Sequence, residues 1–186
     1  MPVGERLSAP TLWRSLPTWE RPPSPLSYWK RNALRVHVAL DASVTDEVIE
    51  RLYSAPTFSL KDNLAVADWL WANTPADAPI YVWGFEPSIY FDARRSPASR
   101  YIYNAPQRAP WSREAARIEL MRDLDRTPPS AVVIERLDTF FRVVGNDSDS
   151  ATALAEFPAL WEYLRRHYHP AVEIGRFLVL RRSTKG

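Results

Sequence analysis

The chain has 186 residues, 46% of them hydrophobic, enough for one domain with a real core and room for an appended segment. Its formal net charge of +2 is too small to point to a nucleic-acid partner, and the lack of cysteine excludes disulfides, thiolate chemistry and zinc–cysteine sites. No run approaches the ~20 apolar residues of a membrane span, and Met1-Pro2-Val3-Gly4-Glu5-Arg6 lacks the apolar core of a signal peptide. Standing alone, the chain is expected to be soluble and cytoplasmic.

Residues 1–28 differ in material from the rest. They hold six of the 17 prolines together with Trp13 and Trp19, and Trp29 follows directly. Proline at this density blocks regular helix and strand. Residues 1–35 carry six basic against two acidic side chains, a local +4. This start reads as a basic arm that is disordered or wrapped on the surface, or as a segment suited to a membrane interface.

A mixed lead-in is expected over 29–58. "RVHVAL" alternates like a short strand, and "TDEVIERLY" reads as a helical turn or two capped by Thr45. An α/β domain is expected over 59–182, with a short tail at 183–186. Ser59 and Asp62 resemble a capping box, and Leu60, Leu64, Ala67 and Trp71 follow at one-face helical spacing up to Pro75. "PIYVWG" is apolar on both sides, as a buried parallel strand should be. Pro87 suits the first position of a helix over "PSIYFDARR".

"SRYIYN" reads as a second strand. A helix over "SREAARIELMRDLDR" carries Ile118, Met121 and Leu124 on one face, with Ser112 as its cap. "SAVVIE" reads as a third strand, Asn146–Ser150 as a loop, and "PALWEYLRRHY" as a helix opened by Pro158. The end forms a hairpin about Gly175-Arg176. Strands alternating with helices predict an α/β fold, Rossmann-like, with a mostly parallel sheet and a C-terminal antiparallel hairpin. The expected strand order is 2-1-3, with the hairpin beside strand 3.

Ligands of such sheets sit at the carboxyl ends of the strands. Here those ends carry Trp83, Gly84, Phe85 and Glu86, then Tyr103 and Asn104, then Glu135 and Arg136. Yet G-x-G-x-x-G, G-x-x-x-x-G-K-[ST] and G-x-S-x-G are all absent, and Gly84 is followed by Phe85-Glu86-Pro87. No cofactor and no catalytic metal is expected, since His167 and His169 have no third ligand near them in sequence. Glu86 and Glu135 could serve as paired acids over one crevice, or each could cap a helix or pair with an arginine. Trp83, Phe85, Tyr90, Phe91, Tyr101 and Tyr103 could build an aromatic binding surface, or part of the core.

The motifs Val82-Trp83-Gly84, Ile89-Tyr90-Phe91 and Arg95-Ser96-Pro97-Ala98-Ser99-Arg100-Tyr101 then add a resemblance. With "PPSAVVIE" and the final "FPALWEYLRRHYHPAVEIGRFLVLRR", they are similar to the soluble C-terminal region of bacterial polytopic glycosyltransferases of the dolichyl-phosphate-mannose protein mannosyltransferase class, over roughly residues 55–182. The resemblance implies an extracytoplasmic domain preceded by membrane helices, and a lipid-phosphate-linked sugar as donor. In that class the catalytic aspartate lies in an early loop that this sequence lacks, so no catalytic residue carries over.

The resulting expectation is an accessory domain, not catalytic by itself, with a membrane-embedded catalytic region as partner and residues 1–28 at the membrane interface. Trp83, Glu86, Tyr90, Arg100, Tyr103 and Glu135 are its candidate contacts to a lipid-linked sugar or acceptor. Arg100 could meet a phosphate as a bidentate donor, or pair with Asp92 or Glu86. Two alternatives remain: a free-standing carbohydrate-binding or interaction module, and a small glycosidase-like hydrolase using Glu86 and Glu135.

Overall fold

The structure, a computed structural model, describes residues 29, 32, 33, 36, 46–54 and 58–183. The arm at 1–28, the cap expected at Thr45 and, Val36 aside, the strand expected over 35–40 lie outside these residues. The chain divides into two compact units, 1–52 and 53–186. The described part of the first is chiefly helix α1 (Asp46–Tyr53), formed where a helical turn or two was expected, its last residue falling in the second unit.

The second unit begins with α2 (Leu60–Asn73), β1 (Ile80–Trp83), α3 (Ser88–Asp92), α4 (Ala105–Arg108) and α5 (Arg113–Arg126). It continues with β2 (Ala131–Glu135), α6 (Phe141–Val144), α7 (Ser150–Leu154), α8 (Pro158–His167), β3 (Tyr168–Ile174) and β4 (Phe177–Arg182). The strands form one sheet in the order β1-β2-β4-β3. β1 and β2 are parallel, with Ile80 opposite Ala131 and Trp83 opposite Ile134. β4 runs antiparallel to both β2 and β3.

The α/β fold and its C-terminal antiparallel hairpin are those expected from sequence. The strand expected over "SRYIYN" does not form, because residues 99–104 run as bends. Parallel pairing beyond β1 shrinks to a bridge between Ile80 and Pro97, in which Ile80 N–H donates to Ser96 O (2.9 Å) and Ala98 N–H donates to Ile80 O (2.8 Å). The chain therefore does lie on the free edge of β1, in the expected order, but for three residues and slightly earlier.

Both faces of the sheet are covered, and the residues of β1 and β2 are buried throughout, as their unbroken apolar runs require. One face packs Tyr81, Trp83, Val132 and Ile134 with Leu120 and Leu160 of α5 and α8. The other packs Ile80, Val82 and Val133 with Val66, Leu70 and Ile89 of α2 and α3.

Ser59 caps α2 by accepting from Asp62 N–H at 3.1 Å. The helix buries Asn63, Val66, Ala67 and Leu70. The expected stripe was off by about one position, since Leu64 and Trp71 are exposed; α2 is apolar on several sides, so its periodicity offered two stripes. Helix α5 likewise buries Ala116, Leu120, Asp123 and Leu124, while Ile118 faces out. Ser112 precedes α5 without capping it, its hydroxyl donating instead to Pro106 O at 2.8 Å.

The motif Arg95–Tyr101 fastens these layers. Buried Arg95 donates from Nε to Thr74 Oγ1 (2.9 Å) and from Nη2 to Trp71 O (2.9 Å) and Thr74 O (2.7 Å). Its Nη1 donates to Ala93 O (3.2 Å) and Arg94 O (3.1 Å). Three donor contacts thus meet two carbonyls and a hydroxyl at the C-terminus of α2, where a cation also complements the helix dipole, and two meet carbonyls just after α3. Ser99 Oγ donates to Asp123 Oδ2 at 2.8 Å, tying the same segment to α5.

Candidate functional site

The carboxyl ends of β1 and β2 hold a sealed polar cluster, and the cause is local. Glu135 ends β2 with no exposed surface, and its Oε2 accepts the N–H of Phe85 at 2.8 Å. A Cβ on Gly84 would stand 2.6 Å from Glu135 Cβ and would collide with Oε2. Gly84 is therefore glycine because the Glu135 side chain occupies the space beside it, and no nucleotide phosphate is needed to explain it. The turn Phe85-Glu86-Pro87 then leads into α3, and Glu86 Oε2 accepts from Asn63 Nδ2 of α2 at 2.9 Å.

Beyond β2, three bonds fix the chain. Arg136 N–H donates to Arg176 O (2.9 Å), Leu137 N–H to Asp149 Oδ2 (2.9 Å) and Ser150 N–H to Asp138 Oδ1 (2.6 Å). Ser150 Oγ also bonds Asp138. Buried Arg108 of α4 donates to Ser150 Oγ (3.0 Å) and to Ser148 O, and its Nη1 lies 3.9 Å from Asp138. Asn104 Nδ2 reaches the same hydroxyl at 2.6 Å. Holding Asp138 inward turns Leu137 outward at φ 64, a left-handed conformation that side chains seldom adopt.

Three carboxyls, Glu86, Glu135 and Asp138, thus share the field of two guanidiniums, Arg108 and Arg176. Burial, with Asp138 and Glu86 adding like charge, pushes the Glu135 carboxyl up to about 8 despite the Phe85 hydrogen bond. Burial likewise raises Glu86 and Asp138. Glu135 Oε1, Asn63 Oδ1 and Arg176 Nε and Nη1 are buried without a hydrogen-bond partner among the described residues.

The candidate residues from sequence divide by position. Trp83 and Tyr90 lie in the core: the Trp83 indole N–H donates to Ser150 O (2.7 Å), and the Tyr90 hydroxyl accepts Val82 N–H (2.8 Å). Burial raises the Tyr90 hydroxyl well above its ordinary value. Glu86 and Glu135 share the strand-end cluster, Glu86 being half-buried. Arg100 is exposed and pairs with Glu119 and Tyr101, not with Asp92 or Glu86.

Tyr103 lines an open groove of ≈540 Å³ with Phe85, Pro106, Trp111, Phe140 and Val143. Phe85 and Phe140 meet edge to face at 5.4 Å, and the Arg108 guanidinium lies 5.2 Å from the Phe85 ring centre. The sequence reading missed Arg108, Asp138, Ser150, Trp111 and Phe140. Trp111, in "APWSRE" before a helix, was the one visible signal among them.

Among the described residues, no group of three His, Cys, Asp or Glu side chains is placed to hold a metal ion. Among them, too, no helix is long and apolar enough to cross a membrane. No protein-family model matches the sequence, and no curated protein matches it. Among solved structures, the chain is similar to the C-terminal globular domain of an oligosaccharyltransferase from Archaeoglobus fulgidus, with a TM-score of 0.41 and 13% identity over 68% of this chain and 99% of that one. A likeness of that degree carries no argument about function.

Proposed function

We propose that this chain is an accessory, non-catalytic domain of a glycosyltransferase that uses a lipid-phosphate-linked sugar, working at the extracytoplasmic face of a membrane beside a membrane-embedded catalytic region. The observation that carries the reading is the burial of much of the resembling motifs, with Phe91, Ser96, Pro97 and Arg100 left exposed. Val82, Trp83, Ile89, Tyr90, Arg95, Ala98 and Ser99 are all inside, where they hold β1, α2, α3 and α5 together. Motif residues that build the interior support a resemblance in domain type, and they offer no reacting group.

Glu135 has no exposed surface, which counts against a glycosidase pair with Glu86, since both acids must reach the scissile bond. The open groove counts against a sugar site: beyond the Tyr103 and Ser112 hydroxyls and the Trp111 indole N–H, its lining residues carry no polar side-chain group, whereas sugars need several convergent polar groups.

The test is fractionation of source cells, probed with an antibody against residues 112–130. A membrane-bound band much larger than 21.4 kDa is expected. A soluble band of 21.4 kDa would sink the reading and raise the free-standing interaction module in its place.

A further inference from the structure

We propose that the aromatic groove at the carboxyl ends of β1 and β2, lined by Trp111 and Phe140 and followed in the chain by exposed Phe141, is a lipid-contact face that seats the domain on a zwitterionic headgroup layer. The inference rests on the accessory-domain reading and deepens it by naming what the globular unit rests on. Trp111 is 76% exposed, Phe141 59% and Phe140 49%, with Leu137 at 68% on the same connection. That is a large amount of ring and aliphatic surface for water to cover on one edge. It is also held in place. Arg108 backs Phe85, Phe85 backs Phe140, and the bonds around Asp138 force Leu137 outward at φ 64.

The chemistry of the edge selects the occupant. Its lining offers two hydroxyls, one indole N–H and no charged side chain, which disfavours a sugar or a phosphate inside the groove. Tryptophan, tyrosine and phenylalanine with flanking charge are the composition of a membrane–water boundary. The flanking charges are mixed in sign: exposed Arg113 stands on the helix bordering the groove, and Asp147 and Asp149 line the adjoining hollow with Leu137. Arginine meets a lipid phosphate and aspartate its ammonium, so the edge complements a phosphatidylethanolamine or phosphatidylcholine surface and repels a purely anionic one in part.

The experiment uses the full chain with phosphatidylcholine vesicles whose acyl chains are brominated, read by tryptophan quenching. Wild type minus Trp111→Phe isolates Trp111 from the other seven tryptophans. Quenching through Trp111 is expected with zwitterionic vesicles alone and should not need anionic lipid. Phe141→Ser should lower it at least about threefold, from the loss of one inserted ring. If that variant fails to fold, Leu137→Asn serves, since asparagine tolerates the left-handed conformation, and the same drop is expected. Brominated chains that quench nothing removable by Trp111→Phe would overturn the assignment. So would quenching seen only with anionic vesicles, or left unchanged in the folded variants; the edge would then be open to a protein partner. Cell fractionation reads the accessory-domain proposal independently of all these outcomes.

Discussion

Replacing Glu135 by glutamine should make the domain more stable in mildly alkaline solution. The ordinary value of 4.5 governs the carboxyl in the unfolded chain, against about 8 in the folded one. Between those values the folded chain keeps a proton that the unfolded chain has released, so stability is full below 4.5 and falls as pH rises toward 8. The slope reaches ~1.4 kcal/mol per pH unit and sums to an upper figure of roughly 4–5 kcal/mol. Glutamine keeps an acceptor for Phe85 N–H and cannot ionise, so it removes this contribution. Glu86 and Asp138, raised by the same burial, leave a shallower slope of the same sign. The assay is the urea midpoint of wild type and Glu135→Gln at steps between pH 4.5 and 9. The curves should meet near pH 4.5 and separate steadily above it, with the variant higher. Parallel curves would refute the buried, proton-holding carboxyl, and a variant weaker at pH 8.5 would refute the sign.

Gly84→Ala places a methyl 2.6 Å from Glu135 Cβ, so β1 and β2 must separate at a cost of roughly 1–3 kcal/mol; a melting temperature equal to wild type would show the contact to be slack. Arg108→Met leaves Asp138 buried with its countercharge gone, costing about 3–5 kcal/mol, and the loss should deepen as pH rises through the carboxylate range. A loss equal at pH 4 and pH 8 would mean that Arg108 acts only by packing. Arg95→Lys can keep at most three of five donors and loses the planar fork. It should destabilise by roughly 2–3 kcal/mol, with amide exchange rising at the C-terminus of α2. Unchanged protection there would remove the clamp.

Much of the fold was legible because its signals are local. The unbroken apolar runs of β1 and β2, Ser59 before α2, Pro158 at the start of α8 and Gly175 at the hairpin each need only their neighbours to be read. "SRYIYN" misled because its alternating aromatics have the period of a strand. Its residues are instead pulled away from the sheet: Ser99 bonds Asp123 of α5, Tyr101 bonds Glu119, and Asn104 bonds Ser150.

The candidate site was legible only as a location. Glu86 and Glu135 do fall at one strand end, as their positions after two parallel strands require. Whether a carboxylate there faces solvent depends on what closes over it, and the groups beside it are distant in sequence: Phe85 N–H lies 50 residues from Glu135, and Asn63 Nδ2 lies 23 from Glu86. Arg108 meets Ser150 across 42 residues, and Asp138 meets Ser150 across 12, beyond the reach of helix or strand periodicity. Arg95 could be quoted as part of a motif, but its carbonyl partners on α2 carry no side-chain signature at all.

The position of β4 has a consequence for biosynthesis. It is the last of the four strands to leave the ribosome, yet it lies between β2 and β3. Until residues 177–182 emerge, Ala131–Glu135 can pair with β1 on one side only, and their other side stays an open, apolar edge. A chain stalled or clipped before Phe177 would therefore expose a sticky template, where the finished chain hides one. Synthesis of the domain should thus depend on chaperones late in elongation, and loss of its final strand should lead to aggregation in place of a smaller soluble fold.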